Sequence, residues 1–189
     1  MLDLALKFLT DELNAFLIAR TGSTFGSAVA TRLATDAGKW AIPDDQLGVA
    51  LINIEEERAM RSQVPHATYV DGRHVVLEPE IKLNLYVLFA AYFGQYDQGL
   101  RQLSHVITFF QSHPIFTPDR YAALDPRIEK LAVDLISPTF DQLNQIWTFV
   151  GAKQLPSALY RLRMVILQDD EPGAIHPPIT KIGSTVEVL

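Results

Sequence analysis

Cysteine is absent from the 189 residues. That excludes disulfides, thiolate metal sites and a Cys nucleophile. Long apolar runs are missing as well. No stretch reaches the roughly 18 consecutive apolar residues of a membrane span, so no direct membrane insertion is expected. The opening Met1-Leu2-Asp3-Leu4-Ala5-Leu6-Lys7 is apolar, yet it lacks the basic start and small-residue cleavage site of a secretory signal. The cytoplasm is the expected compartment. Basic charge is scarce: 16 Lys and Arg stand against 22 Asp and Glu, a net charge of -6. A nucleic-acid surface usually needs a basic face, so nucleic acid is not an expected partner.

Catalytic motifs are equally scarce. No GxGxxG precedes a helix, and no phosphate loop of GxxxxGK[ST] type is present. Thr21-Gly22-Ser23-Thr24-Phe25-Gly26 is rich in Gly and Ser but has no lysine and follows a helix, which makes it a turn. There is no GxSxG elbow. His66, His74, His105, His113 and His176 form no helical metal-binding pair. His66 and His74 flank a hairpin and read as solvated loop residues. Asp44-Asp45 and Glu55-Glu56-Glu57 offer neighbouring carboxylates, but adjacent strand residues face opposite sides, so a solvated acidic rim is expected. No cofactor, metal or catalytic residue is expected, and the chain does not read as an enzyme.

Apolar residues make up 48% and charged residues 20% of the chain, which places it among ordinary folded domains rather than disordered ones. At this length roughly 70% of the unfolded surface is buried on folding, so no covalent staple is needed. Leu2, Leu6, Leu9, Leu13, Phe16 and Leu17 recur at helical spacing and predict a helix over Leu2–Arg20, ended by Gly22. Tyr96–Ser112 is a second helix with Leu100, Leu103, Val106, Ile107 and Phe110 as its core stripe, closed by His113-Pro114. Thr139 with Gln142 forms a capping-box pair for a third helix, whose apolar face is Phe140, Leu143, Ile146, Trp147 and Val150.

Strands are predicted over Phe25–Thr35, Gln46–Ile54, Ile81–Phe93, Glu129–Ile136 and Ser157–Gln168. In Gln46–Ile54 both alternating sets are mostly apolar, as in a strand covered on both faces. Asp71-Gly72 marks a projecting β-hairpin between Ala67–Val70 and His74–Leu77. Arg161 and Arg163 share one strand face, suited to an anion or, more simply, to acidic residues of the domain or a neighbour. The fold class expected is α/β (α+β): a central mixed sheet of about four to six strands flanked by three main helices. The domain spans 1–168. The segment 169–189 is an extended C-terminal tail, rich in Pro and Gly, ending in Thr185-Val186-Glu187-Val188-Leu189. Such a tail either docks on a neighbouring sheet or frays.

The runs Ile81-Lys82-Leu83-Asn84-Leu85-Tyr86-Val87-Leu88-Phe89-Ala90-Ala91-Tyr92, Leu103–Pro114, Leu143–Trp147 and Leu155-Pro156-Ser157-Ala158-Leu159-Tyr160-Arg161-Leu162-Arg163 follow in order. Together they resemble the N-terminal domain of the cap, or tail-terminator, proteins of extracellular contractile injection systems. The resemblance covers Met1 to Gln168. It implies a structural role without catalysis: a homo-oligomeric ring, a hexamer, that closes the distal end of the inner tube and its sheath, stops their polymerisation and anchors the sheath. Implied partners are other copies of the chain and the sheath and inner-tube proteins. The particle is phage-tail-like, released or membrane-attached. On this reading the interface draws on Arg58, Arg61, Tyr69 and Arg73 of the hairpin segment, on Arg161 and Arg163, and on Ile179, Val186 and Val188 of the tail. A baseplate or tail-completion adaptor of the same particle, or an unrelated small-molecule-binding or hydrolytic domain, remains open at this stage.

Overall fold

The computed structural model describes residues 1–57, 66–70, 73–77, 81–167 and 174–176. Helix α1 (Leu2–Thr21) buries Ala5, Leu9, Leu13 and Leu17 at four-residue steps, with Phe8 beside them. The stripe is rotated slightly from the expected one. Leu2, Leu6 and Phe16 lie partly buried at its rim. Thr10 is buried as well; its hydroxyl donates to the Leu6 carbonyl at 2.8 Å, so it brings no unmet polar group inside. Gly22 stops the helix at φ 67, a left-handed cap that glycine adopts without a Cβ clash.

In chain order the strands are β1 (Ala28–Ala30), β2 (Gln46–Glu56), β3 (His66–Val70), β4 (Arg73–Leu77), β5 (Ile81–Tyr92), β6 (Ile115–Phe116), β7 (Lys130–Ile136), β8 (Ser157–Leu167) and β9 (Ala174–His176). Six of them form one mixed sheet in the order β1-β2-β5-β8-β7-β6. Only β1 runs parallel to its neighbour; the remaining pairs of this sheet are antiparallel. The predicted hairpin forms with Tyr69 opposite His74, and β9 from the tail segment adds to it on β4. The hairpin therefore belongs to a separate three-stranded sheet.

Helices α1 and α2 (Tyr96–Ser112) cover one face of the large sheet. Leu47, Val49, Leu85, Val87, Phe89, Tyr160 and Leu162 meet them in the first core. Its centre is aromatic: Phe110 lies against Phe89 and Tyr160 with ring centroids 5.3 and 4.7 Å apart. Helix α3 (Phe140–Val150) and the segment 33–42 cover the other face. There Leu33, Ile42, Ala50, Leu88, Ala90, Trp147 and Leu159 form a second core. The two-faced burial expected of Gln46–Ile54 is thus present. Gly48 makes it fit, because a Cβ there would stand 2.6 Å from the Ile42 side chain.

Several expectations need correction. The strand predicted over Phe25–Thr35 shrinks to Ala28–Ala30. After Thr31 the chain leaves the sheet so that Leu33 can cover the second core, held by the Ala41 N–H donating to the Leu33 carbonyl at 2.9 Å. On α2, Leu100 and Ile107 are half-exposed, whereas Gln102 and Phe109 are buried. On α3 the capping box forms as predicted, yet Phe140 lies outside and only Trp147 is fully buried. Two-residue β6 gave no signal of its own in the sequence.

Candidate assembly surface

A polar row crosses the α3 face of the sheet. On β2, the Glu55 carboxylate accepts a 2.8 Å hydrogen bond from the Tyr86 hydroxyl on β5. Tyr86 pairs in register with Arg161 on β8, and Arg161 with Asp134 on β7. Arg161 reaches the Asp134 carboxylate at 3.3 Å, and Arg163 reaches it at 2.9 Å. The hydrogen bond to Glu55 pushes the Tyr86 hydroxyl above its ordinary pKa, since a phenolate cannot donate. Beside this row the buried Asn84 donates to Glu57 at 3.1 Å. The acidic run is therefore engaged from β5 rather than left as a plain solvated rim.

Helix α3 sits above this row on a narrow base. Asp141 is the one charged residue among its eleven. Phe140 and Phe149 are 92% and 87% exposed. Between α3 and the sheet runs an open groove of about 630 Å³, lined by Leu33, Ile52, Tyr86, Ile146, Phe149 and their neighbours. A helix surface with little charge and exposed aromatic rings has the composition of an interface core. A loop elsewhere carries a strongly lowered carboxylate: Arg127 holds Asp125 down to about 2 through paired hydrogen bonds.

The two ends of the sheet differ. At the β1 end, Asn14 of α1 bonds to both outward main-chain groups of Ala28. Strand β1 stops after pairing Ala30 with Val49, while β2 continues to Glu56. Among the described residues, no strand pairs with the outer edge of β2 at Leu51 or Ile54. Also among the described residues, no cluster of His, Asp and Glu is placed to hold a metal ion, and no helix is long and apolar enough to cross a membrane.

Residues 6–181 match the Pvc16 N-terminal domain family. The chain belongs to that family. Similar folds occur in two cryo-EM structures. One is the PVC sheath/tube terminator of an extracellular contractile injection system in the extended state, 18% identical over 94% of this chain with a TM-score of 0.60. The other is the anti-feeding prophage cap, described as a tube-terminating cap, 19% identical over 94% with a TM-score of 0.58. This chain spans 63% and 60% of the length of those two chains. No curated protein matches it by sequence. The resemblance drawn from the four ordered runs thus holds for family and fold.

Within this Pvc16 N-terminal domain, the interface residues expected from sequence fall into three groups. Arg161 and Arg163 come together on Asp134, an acidic residue of the same domain. Tyr69 and Arg73 are placed by backbone on β3 and β4. Arg58, Arg61, Ile179, Val186 and Val188 lie outside the described residues. Sequence reading missed Asp134 as the acceptor, because the β7–β8 register that brings it opposite Arg161 is a tertiary fact. It also missed Phe149; its place two residues after Trp147 on α3 offered a signal, since positions two apart do not share a helix face.

Proposed function

We propose that this domain works as the terminator of a phage-tail-like contractile injection particle. It closes the distal end of the inner tube and sheath, stops their growth and anchors the last sheath ring. What carries this reading is the match of the family and of the whole two-faced sheet to a sheath/tube terminator and a tube-terminating cap. The role is structural, and the working unit is a hexameric ring built through a heterologous contact that closes by rotation. Partners are neighbouring copies, tube subunits and sheath subunits. Charge-poor α3 with its exposed Phe140 and Phe149 supports protein contact on that face. Assembly takes place in the bacterial cytoplasm before the particle acts.

Imaging purified particles by negative stain, with and without this chain, tests the reading. Particles lacking it are expected to carry tubes and sheaths of uncontrolled length with open distal ends. Normal, uniform lengths would refute the terminator role. Light scattering of the purified chain is expected to show a ring of about six copies.

A further inference from the structure

We propose that the open edge of β2 is a docking site for an extended segment of a partner protein. The segment adds as a strand, with apolar side chains at alternate positions and a basic side chain opposite Glu55. This goes beyond the terminator reading and stands on the sheet alone.

The main chain shows which groups are on offer. Leu47 donates to Ser27, and Val49 accepts from Thr31, so these residues turn their main-chain groups outward. The register with β5 shifts between Leu51 and Asn53. Beyond that bulge Glu57 donates to Lys82 on β5, which sets the inward residues as Asn53, Glu55 and Glu57. Leu51 and Ile54 therefore turn their N–H and C=O away from β5. Among the described residues no strand meets them. Unpaired edge groups of this kind are a template for another strand.

The space on both sides suits a strand. Side chains of an added strand alternate between the two faces. On the α3 face they enter the groove of about 630 Å³ beside Ile146 and Phe149. On the α1 face a second groove of about 630 Å³ runs past Leu6 and Leu51. Ile54 is 45% exposed at that margin and offers apolar contact.

Charge selects the segment. Among the described residues, Lys7 pairs with Asp11 and Arg32 with Asp36 near this edge. Glu55 instead bonds to a neutral phenol, so its charge is uncompensated by that contact. A Lys or Arg at this end of the incoming strand would pair with the Glu55 carboxylate. The register of main-chain bonds gives affinity, and the grooves with Glu55 give selectivity.

The test uses the full chain and a short fluorescent peptide of alternating Val and Thr ending in Lys. Anisotropy is expected to show binding that weakens about tenfold in Ile54→Pro, which removes an outward donor without breaking a bond to β5. Glu55→Gln is expected to weaken it about threefold and to lower its salt dependence. Because Ile54→Pro risks the fold, the same measurement is made on unaltered protein with peptides N-methylated at one or the other alternate set of amides. One set should abolish binding and the other should not. Hydrogen exchange should slow at the Leu51 and Ile54 amides. Absence of binding, equal effects of both methylated sets, or protection on the outer surface of α3 instead would overturn the proposal. So would concentration-dependent protection of the same amides without peptide, which would mean a second copy occupies the edge. Any of these failures leaves the particle-length test unaffected.

Discussion

Asn14 and Ala28 are joined by two hydrogen bonds: the Asn14 Nδ2 donates to the Ala28 carbonyl at 2.9 Å, and the Ala28 N–H donates to Oδ1 at 2.7 Å. The side-chain amide does for β1 what a neighbouring strand would do. It satisfies one outward donor and one outward acceptor, and it ties helix α1 to the sheet edge. Asn14→Ala should cost about 2 to 3 kcal/mol, because both groups lose their partner in a half-buried setting. Asn14→Asp should be at least as harmful, since a carboxylate cannot donate to the carbonyl. Urea unfolding of both variants checks this; a loss under 0.5 kcal/mol for the alanine variant would show that water replaces the amide.

The Asp134 site makes a smaller claim. Both arginine partners and Asp134 itself are roughly a third or more exposed, so screening limits each pair. Asp134→Asn should destabilise by about 1 kcal/mol or less, with the loss shrinking in high salt. A double-mutant cycle with Arg161→Met and Arg163→Met separates the two couplings.

Helix α3 should respond very unequally along its length. Trp147 is its one fully buried residue, packed edge to face on Trp40 at 6.3 Å. Trp147→Ala should cost about 3 to 5 kcal/mol or release the helix from the sheet. Phe140→Ala and Phe149→Ala should change stability by less than about 0.5 kcal/mol each, because their rings are already in water. If they serve assembly, they should nonetheless reduce ring formation, as measured by light scattering. Hydrogen exchange in α3 distinguishes local release from global loss.

Alkaline pH gives a separate handle. Burial pushes the Tyr160 hydroxyl up to about 12, so the folded state resists deprotonation. An unfolded tyrosine ionises near 10, so the unfolded state gains stability between about 10 and 12 and folding weakens as pH rises through that window. The shift corresponds to about 2 to 3 kcal/mol. Tyr160→Phe should flatten stability in that range while leaving neutral pH nearly unchanged. Ultraviolet titration should show one of the six tyrosines ionising only with unfolding.

The regular elements were largely legible. Helix α2 begins and ends where Tyr96 and Ser112 predicted, and the capping box of Thr139 and Gln142 forms. Local chemistry suffices for both: a proline after His113, and a hydroxyl three residues from an amide. What escaped depends on partners distant in sequence. Asn14 falls on the polar side of α1 by periodicity, yet it reaches Ala28. Strand β1 is short because Leu33 is drawn to the second core. On the candidate surface, Arg161 and Arg163 were visible as a pair, but Asp134 became their acceptor only through strand register. The open edge of β2 was illegible, since nothing in the run Leu51–Glu55 tells where β1 will stop.

The strand order has a kinetic consequence. β5 takes β2 on one side and β8 on the other, and β8 is the last of the six in the chain. During synthesis β5 therefore spends the time needed to make α2, β7 and α3 with one apolar edge unclosed. Tyr160, Leu162 and Met164, which seal the first core, arrive at the end of that interval. Contacts this distant along the chain slow folding, and an uncovered central strand is prone to pair with another chain. Chains halted before Ser157 should aggregate rather than accumulate as partly folded monomers, so release of the last long strand sets the moment at which this domain becomes safe in a crowded cell.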